Sequence, residues 1–170
     1  MRLLVIVLIL VISSCTEPTL QNTLNNKVAI FEKYETTYFN NLSITPLSRE
    51  PYQKSPKEFE IRKKGKPGFA VIQTVPEIRI LKNYYSDSLS IDFVKAFAEL
   101  DVTWLHNFDV NKNDSTTIKP VTHLEFHFGK DNIVLFRENS YHLGYDKVIS
   151  EKSILLNGKW RYSIFPINPK

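Results

Sequence analysis

Residues 153–165 read SILLNGKWRYSIF, and this stretch decides the class of fold. Asn157 and Gly158 stand between two extended runs, and Asn-Gly is the strongest short hairpin signal because both residues tolerate the positive φ angles of a type I′ turn. We therefore predict two antiparallel strands that meet at this turn. The pairs expected on one face are Leu155 with Trp160 and Ser153 with Tyr162.

Further strands are predicted upstream of this hairpin. Short apolar or alternating runs end at turn residues, and the segment Lys64-Gly65-Lys66-Pro67-Gly68 has the composition of a hairpin tip. The predicted strands are residues 58–63, 69–75, 78–81, 121–128 and 133–138. Residues 43–57 contain three prolines among polar residues, and we predict a surface loop there.

Two stretches instead have apolar residues at three-to-four spacing, which predicts amphipathic helices. The first helix is expected over residues 19–41. The second is expected over residues 89–107, because Phe93, Phe97, Leu100, Trp104 and Phe108 follow this spacing. Asp87 or Ser88 is the predicted N-cap of the second helix.

The order helix, strands, helix, strands lacks the βαβ alternation of a parallel sheet. We therefore predict an α+β fold with a mostly antiparallel sheet and two amphipathic helices packed on one face. With 170 residues, 42% of them hydrophobic, the chain has the length and composition for one folded domain, expected over residues 19–170.

The first 15 residues form a separate segment. Met1 and Arg2 are followed by ten apolar residues and then Ser13-Ser14-Cys15, which is the layout of a secretory signal. Ten apolar residues cannot span a membrane, because a spanning helix needs about 20. Ile12-Ser13-Ser14-Cys15 resembles the lipobox of bacterial lipoproteins. The resemblance covers only the leader.

This resemblance implies removal of residues 1–14, acyl lipid on Cys15, and a tether of residues 15–18. The protein would then be lipid-anchored in the cell envelope. Thr16 stands where some lipoproteins carry an aspartate that retains them at the inner membrane, so an outer membrane is favoured if the cell has both. The alternative is an ordinary cleaved signal and a secreted soluble protein.

Composition disfavours several other classes. The formal net charge is only +4, with acidic and basic residues interleaved, so we expect no nucleic-acid partner. Cys15 is the sole cysteine, which excludes an internal disulfide and a thiolate metal cluster. No P-loop, dinucleotide-binding glycine motif or G-x-S-x-G motif occurs, and we predict no cofactor and no catalytic residue.

His123, Glu125 and His127 alternate along one predicted strand and would share one face. Two imidazoles and a carboxylate are credible zinc ligands, which makes these residues the only metal candidates. However, alternate residues on a strand lie about 7 Å apart, which is awkward for one ion. We expect instead a solvated polar face of a half-buried strand.

Other candidate contacts are basic or aromatic. Arg62, Lys63, Lys64 and Lys66 cluster near the predicted hairpin tip and could touch anionic lipid headgroups or cell-wall polymer, although a polar tip is also expected for solubility. The aromatic residues Trp160, Tyr162 and Phe165 could line a groove but are expected to be core. His106 and His142 have no partner that the sequence identifies.

These observations favour a membrane-anchored envelope lipoprotein that acts as a non-enzymatic binding or assembly module. Its partners would be the membrane, through the lipid anchor, and an envelope protein or cell-wall polymer. The alternatives are a tethered small-molecule or metal-binding protein, with or without hydrolytic activity, and an inhibitor or immunity lipoprotein.

Overall fold

The computed structural model describes residues 19–47, 57–111, 118–138 and 152–166. The leader with Cys15, and also His142, lie outside the described residues. The expectations for the signal segment therefore stay predictions.

The described residues contain two α-helices and an antiparallel sheet. Helix α1 spans Leu20–Tyr34 and continues into a π-helical segment, Glu35–Phe39, while helix α2 spans Ile91–Leu100. The strands in this part of the chain are β1 (Leu42–Pro46), β2 (Glu58–Lys63), β3 (Ala70–Gln73), β4 (Arg79–Asn83), β5 (Trp104–Asn111), β6 (Ile118–Phe128), β7 (Asp131–Arg137), β8 (Ile154–Asn157) and β9 (Trp160–Pro166).

The strands form one sheet with the order β4-β3-β2-β1-β5-β6-β7-β9-β8. Every neighbouring pair is antiparallel. The predicted α+β class with a mostly antiparallel sheet is therefore confirmed, as is the predicted hairpin of β2 and β3. The placement of both helices on one face stays a prediction.

Cross-strand register separates an apolar row from a polar row in the centre of the sheet. The apolar row runs through Ile44, Leu105, Leu124 and Leu135, which pair in this order across β1, β5, β6 and β7, and all four are fully buried. The residues one position away form the polar row, Ser43, His106 and His123. Because successive side chains on a strand alternate, the two rows lie on opposite faces.

The apolar row belongs to a core cluster to which both helices contribute side chains, including Leu24, Phe31 and Phe97. Trp160 is fully buried in this cluster, with its ring edge-on to Phe31 at a centroid distance of 5.5 Å. Its indole Nε1 donates to Glu32 Oε1 at 3.0 Å, so the polar atom of this buried residue is paired. The indole thus anchors β9 to α1.

Lys27 connects the two helices although it is a charged residue in the interior. Its side chain is only 7% exposed. The ammonium donates to the carbonyl oxygens of Leu100 at 2.9 Å and Asp101 at 2.5 Å, at the C-terminal end of α2, where helix carbonyls lack intrahelical donors. Burial lowers the pKa of Lys27, and the nearby Asp101 carboxylate opposes that shift.

The second helix ends earlier than predicted. Asp101 adopts a left-handed conformation with φ of 50° and stops α2, so Trp104 and Phe108 belong to β5 instead of a helix. Their spacing of four is even, which also fits one face of a strand. The N-cap was also wrongly predicted: Ser90 accepts from the backbone N–H of Asp92 at 3.1 Å, in place of Asp87 or Ser88.

Strand β1 replaces part of the loop predicted over residues 43–57, and it lies in the interior of the sheet between β2 and β5. The segment LSITP alternates buried with partly buried residues, as a strand with two different faces requires. Pro46 is its last residue, where a missing N–H is tolerated. The prolines obscured this short alternation in the sequence.

The predicted register of the last hairpin is wrong. Leu155 pairs with Arg161, and Asn157 pairs with Trp160, with an irregularity between Leu155 and Asn157. The Asn157 side-chain oxygen accepts the backbone N–H groups of Lys159 and Trp160, each at 3.0 Å. Neither Asn157 nor Gly158 has a positive φ, so this side-chain bonding forms the turn in place of a type I′ geometry.

We expect Lys27→Met to lower the free energy of unfolding by about 2 kcal/mol, because two carbonyl oxygens at the end of α2 lose a charged donor. Lys33→Met is the matched control on the same helix. The Lys33 side chain is 58% exposed, and its loss should change stability much less than the loss of Lys27. Urea unfolding of both variants measures this, and equal effects would contradict the assigned role of Lys27.

The turn between β2 and β3 provides a second test. Gly65 and Gly68 both have positive φ, but only at Gly68 would an added Cβ lie 2.7 Å from the backbone oxygen of Tyr84. Gly65→Ala should cost about 1 kcal/mol of stability from backbone strain alone, and Gly68→Ala clearly more. If the melting temperatures of the two variants decreased by the same amount, the contact with Tyr84 would not be the cause of the destabilisation.

Candidate functional site

The polar row is a series of side chains across β1, β5 and β6 that contact one another through hydrogen bonds and one ring contact. Ser43 Oγ lies 2.9 Å from His106 Nδ1. The His106 and His123 rings are perpendicular, with centroids 5.9 Å apart. His123 Nε2 lies 2.8 Å from Glu125 Oε1, and Asn132 Nδ2 donates to the other oxygen of this carboxylate at 3.3 Å.

This face of β6 is not the solvated face that the sequence suggested, because His123 is only 8% exposed. Burial, together with the neighbouring His123, lowers the pKa of His106 to about 4, against the smaller opposing effect of Glu125. His106 is therefore neutral at pH 7. Burial by itself would raise the pKa of Glu125. Hydrogen bonds from His123 and Asn132, together with the charge of His123, have the larger opposite effect, so this pKa lies below its usual value.

The three metal candidates do not converge. His123 and Glu125 bond to each other, whereas the Nδ1 atom of His127 is buried without a hydrogen-bond partner in the described part of the chain. Among the described residues, no group of three or more His, Cys, Asp or Glu side chains is arranged to hold a metal ion. Alternation on one strand separates these residues, and no neighbouring strand of the described sheet supplies the missing ligand.

A basic cleft lies beside the Ser43 end of the polar row and has a volume of about 280 Å³. Its lining comprises two glycines together with Ser43, Arg62, Lys63, Lys64, Lys66 and Phe108. None of these lining residues is acidic. All four basic residues that the sequence placed near the hairpin tip therefore contribute to one concave surface. Ser43 and Phe108 also line this surface, and the sequence did not indicate that they would.

The four basic side chains differ in how their charges are compensated. Lys66 pairs with Asp87 at 2.8 Å, and Arg62 Nε pairs with Glu60 at 2.6 Å. Lys63 Nζ lies over the Tyr85 ring, 5.1 Å from its centroid.

Lys64 Nζ lies 5.5 Å from the centroid of the Phe108 ring and has no carboxylate within 4.0 Å among the described residues. The Nη atoms of Arg62 likewise make no hydrogen bond to any described residue. Lys64 thus keeps an uncompensated charge. The Nη atoms of Arg62 are available as donors, although Glu60 pairs with its guanidinium and the Arg62 Cζ atom lies 5.7 Å from the centroid of the Phe69 ring. The ion pair of Lys66 with Asp87 reduces its contribution, and the Lys63 ammonium lies over the Tyr85 ring.

The aromatic groove suggested by residues 160–165 does not form. Trp160 is fully buried in the core cluster and cannot contact a ligand. Phe165 lies on the opposite face of β9 from Trp160 and Tyr162, since it differs from them by an odd number of positions. It packs instead with Val134 and Phe136.

Comparison of the chain with protein-family models, curated protein sequences and solved structures finds no match. Within the described ranges, no helix is both long enough and apolar enough to cross a membrane. The functional assignment therefore depends on the leader sequence and on the geometry of the cleft and the polar row.

The low pKa of His106 makes stability depend on pH. Below pH 6.5 the unfolded chain takes up a proton on His106, whereas the folded chain does so only near pH 4. The unfolded state then binds more protons, so the free energy of unfolding should fall by up to about 3 kcal/mol as the pH decreases through this window.

Urea unfolding at several pH values between 7 and 4.5 tests this expectation. His127, whose pKa burial also lowers, acts in the same direction, so the contribution of His106 is the difference between the native chain and His106→Gln. The variant should show a flatter pH profile. Parallel profiles for the two chains would contradict the assigned effect of His106 burial.

Proposed function

We propose that this protein is a lipid-anchored lipoprotein of the cell envelope whose folded domain is a non-enzymatic binding module. Ile12-Ser13-Ser14-Cys15 supports the anchor, through its resemblance to the lipobox. The observation that carries the binding role is the basic cleft. There Lys64 has no carboxylate partner and the Nη atoms of Arg62 make no hydrogen bond among the described residues, and no lining residue is acidic.

The two parts of the proposal fit each other physically. Only residues 16–18 separate the lipidated cysteine from the predicted start of the domain, and extended chain spans about 3.5 Å per residue. The cleft would therefore work close to the membrane surface or the adjacent cell wall. Each basic group near an anionic surface contributes about 1 kcal/mol, so the cleft favours an anionic partner.

The polar row favours binding over hydrolysis. A serine nucleophile is activated by a histidine whose second nitrogen is held by a carboxylate. Here Ser43 bonds to His106, but Glu125 bonds to His123, whose ring stands perpendicular to that of His106. Within the described ranges, the Ser43–His106 contact is the one observation that supports the hydrolytic alternative. Turnover of ester, glycoside or peptide substrates that is lost in Ser43→Ala would favour that alternative.

The anchor is tested by intact mass and membrane fractionation of the expressed full-length chain. We expect a membrane-bound species that has lost residues 1–14 and gained acyl lipid, because processing requires the Cys15 thiol. Cys15→Ala should be uncleaved or mislocalised. Ser14→Gly, which keeps a small residue before the thiol, is the control and should be processed normally. A soluble species with unmodified Cys15 would contradict the lipoprotein assignment.

A further inference from the structure

The cleft has a composition and volume that narrow the class of its ligand. A volume of about 280 Å³ lies near the lower end of small-molecule sites. Its available donors are the unpaired ammonium of Lys64 and the Nη nitrogens of Arg62, whose charge Glu60 partly offsets. Both favour a compact group with several strong acceptor oxygens and more than one negative charge. A phosphate group has these properties.

We propose that the basic cleft binds a phosphate group, with Lys64 and Arg62 supplying charge and Ser43 donating a hydrogen bond from its hydroxyl. This inference deepens the proposed binding role and rests on it, but it does not depend on the lipid anchor. The phosphate could belong to a lipid headgroup or be free in solution, and both sources share the same recognition chemistry.

Ser43 can donate to an anion only if its proton is not used elsewhere. Its oxygen lies 2.9 Å from His106 Nδ1, and a neutral imidazole carries one proton on either of its nitrogens. With the proton on Nδ1, His106 donates to Ser43 Oγ, and the hydroxyl proton is free for the phosphate. With the proton on Nε2, Ser43 must donate to His106. Phosphate binding therefore selects the Nδ1-protonated form of His106.

The remaining contacts involve the two basic side chains, and Glu60 offsets only part of their charge. The Lys64 ammonium lies over the Phe108 ring, 5.5 Å from its centroid. Glu60 accepts from Arg62 Nε and leaves the Nη atoms without a hydrogen bond among the described residues. Because Glu60 is acidic but does not line the cleft, it reduces the total charge while orienting the guanidinium group.

The test uses the full-length chain, purified in a neutral detergent and titrated at constant ionic strength with sodium phosphate and with a short-chain phosphatidic acid. We expect saturable binding monitored by calorimetry. Lys64→Gln should weaken it about tenfold and Ser43→Ala about fivefold, as loss of one charge-assisted hydrogen bond implies. Lys95→Gln removes an exposed, ion-paired charge on α2 and should leave binding unchanged.

Binding of both ligands with mutual competition supports a phosphate site, and binding of the phosphatidic acid alone supports a headgroup site. No saturable binding of either ligand would overturn the proposal. Equal weakening by Lys64→Gln and Lys95→Gln would also overturn it, because the effect would then reflect net charge only. Circular dichroism checks that each variant is folded. If Ser43→Ala does not fold, the result for Lys64→Gln decides the outcome.

Nitrogen NMR of His106 tests the hydrogen-bond direction independently. The phosphate-loaded protein should carry the imidazole proton on Nδ1, whereas a proton that remains on Nε2 would exclude donation by Ser43. Failure of the phosphate site can be distinguished from failure of the lipid anchor. A chain without lipid can still bind phosphate, and a lipidated chain that binds none refutes only the cleft assignment.

Discussion

The cross-strand register of β1, β5 and β6 is the constraint on which the rest of the structure depends. A shift of one residue in any of these strands would exchange the two faces. The apolar row of Ile44, Leu105 and Leu124 would then leave the core, and the polar row would enter it. Burial of the apolar row thus specifies the register, and the register brings Ser43, His106 and His123 together.

The core and the candidate site are therefore consequences of one alternation. On the core side, Trp160 fixes β9 against α1, and the buried Lys27 joins α1 to the end of α2. Both contacts satisfy polar atoms that burial would otherwise leave unpaired. On the other side of the sheet, the polar row leads to the cleft formed by the turn after β2. The rigid scaffold supports a site in a turn, where basic side chains can reach a ligand.

The cleft and the proposed anchor complement each other. A lipid anchor confines the protein to a surface but confers no selectivity for a partner, whereas a basic cleft selects for anionic groups. His106 contacts Ser43, which lines the cleft. Burial keeps the imidazole neutral, so its single proton can occupy either ring nitrogen. A neutral histidine can orient a serine hydroxyl without adding a fixed charge to the site.

The sequence by itself determined the α+β class, the two helices, the hairpin of β2 and β3, and the clustering of basic residues at its tip, because each depends on local periodicity or on turn residues. Localisation is a proposal that rests on the resemblance of Ile12-Ser13-Ser14-Cys15 to a lipobox. The tertiary structure decided the end of α2 at Asp101, the interior strand β1 and the register between β8 and β9. These features depend on a left-handed residue, on neighbouring strands and on side-chain bonding of Asn157, none of which has a distinctive local pattern. The site followed the same division: Ser43 and Phe108 lie far from Lys64 in sequence, and only the pairing of strands distant in the chain placed all three around one cleft.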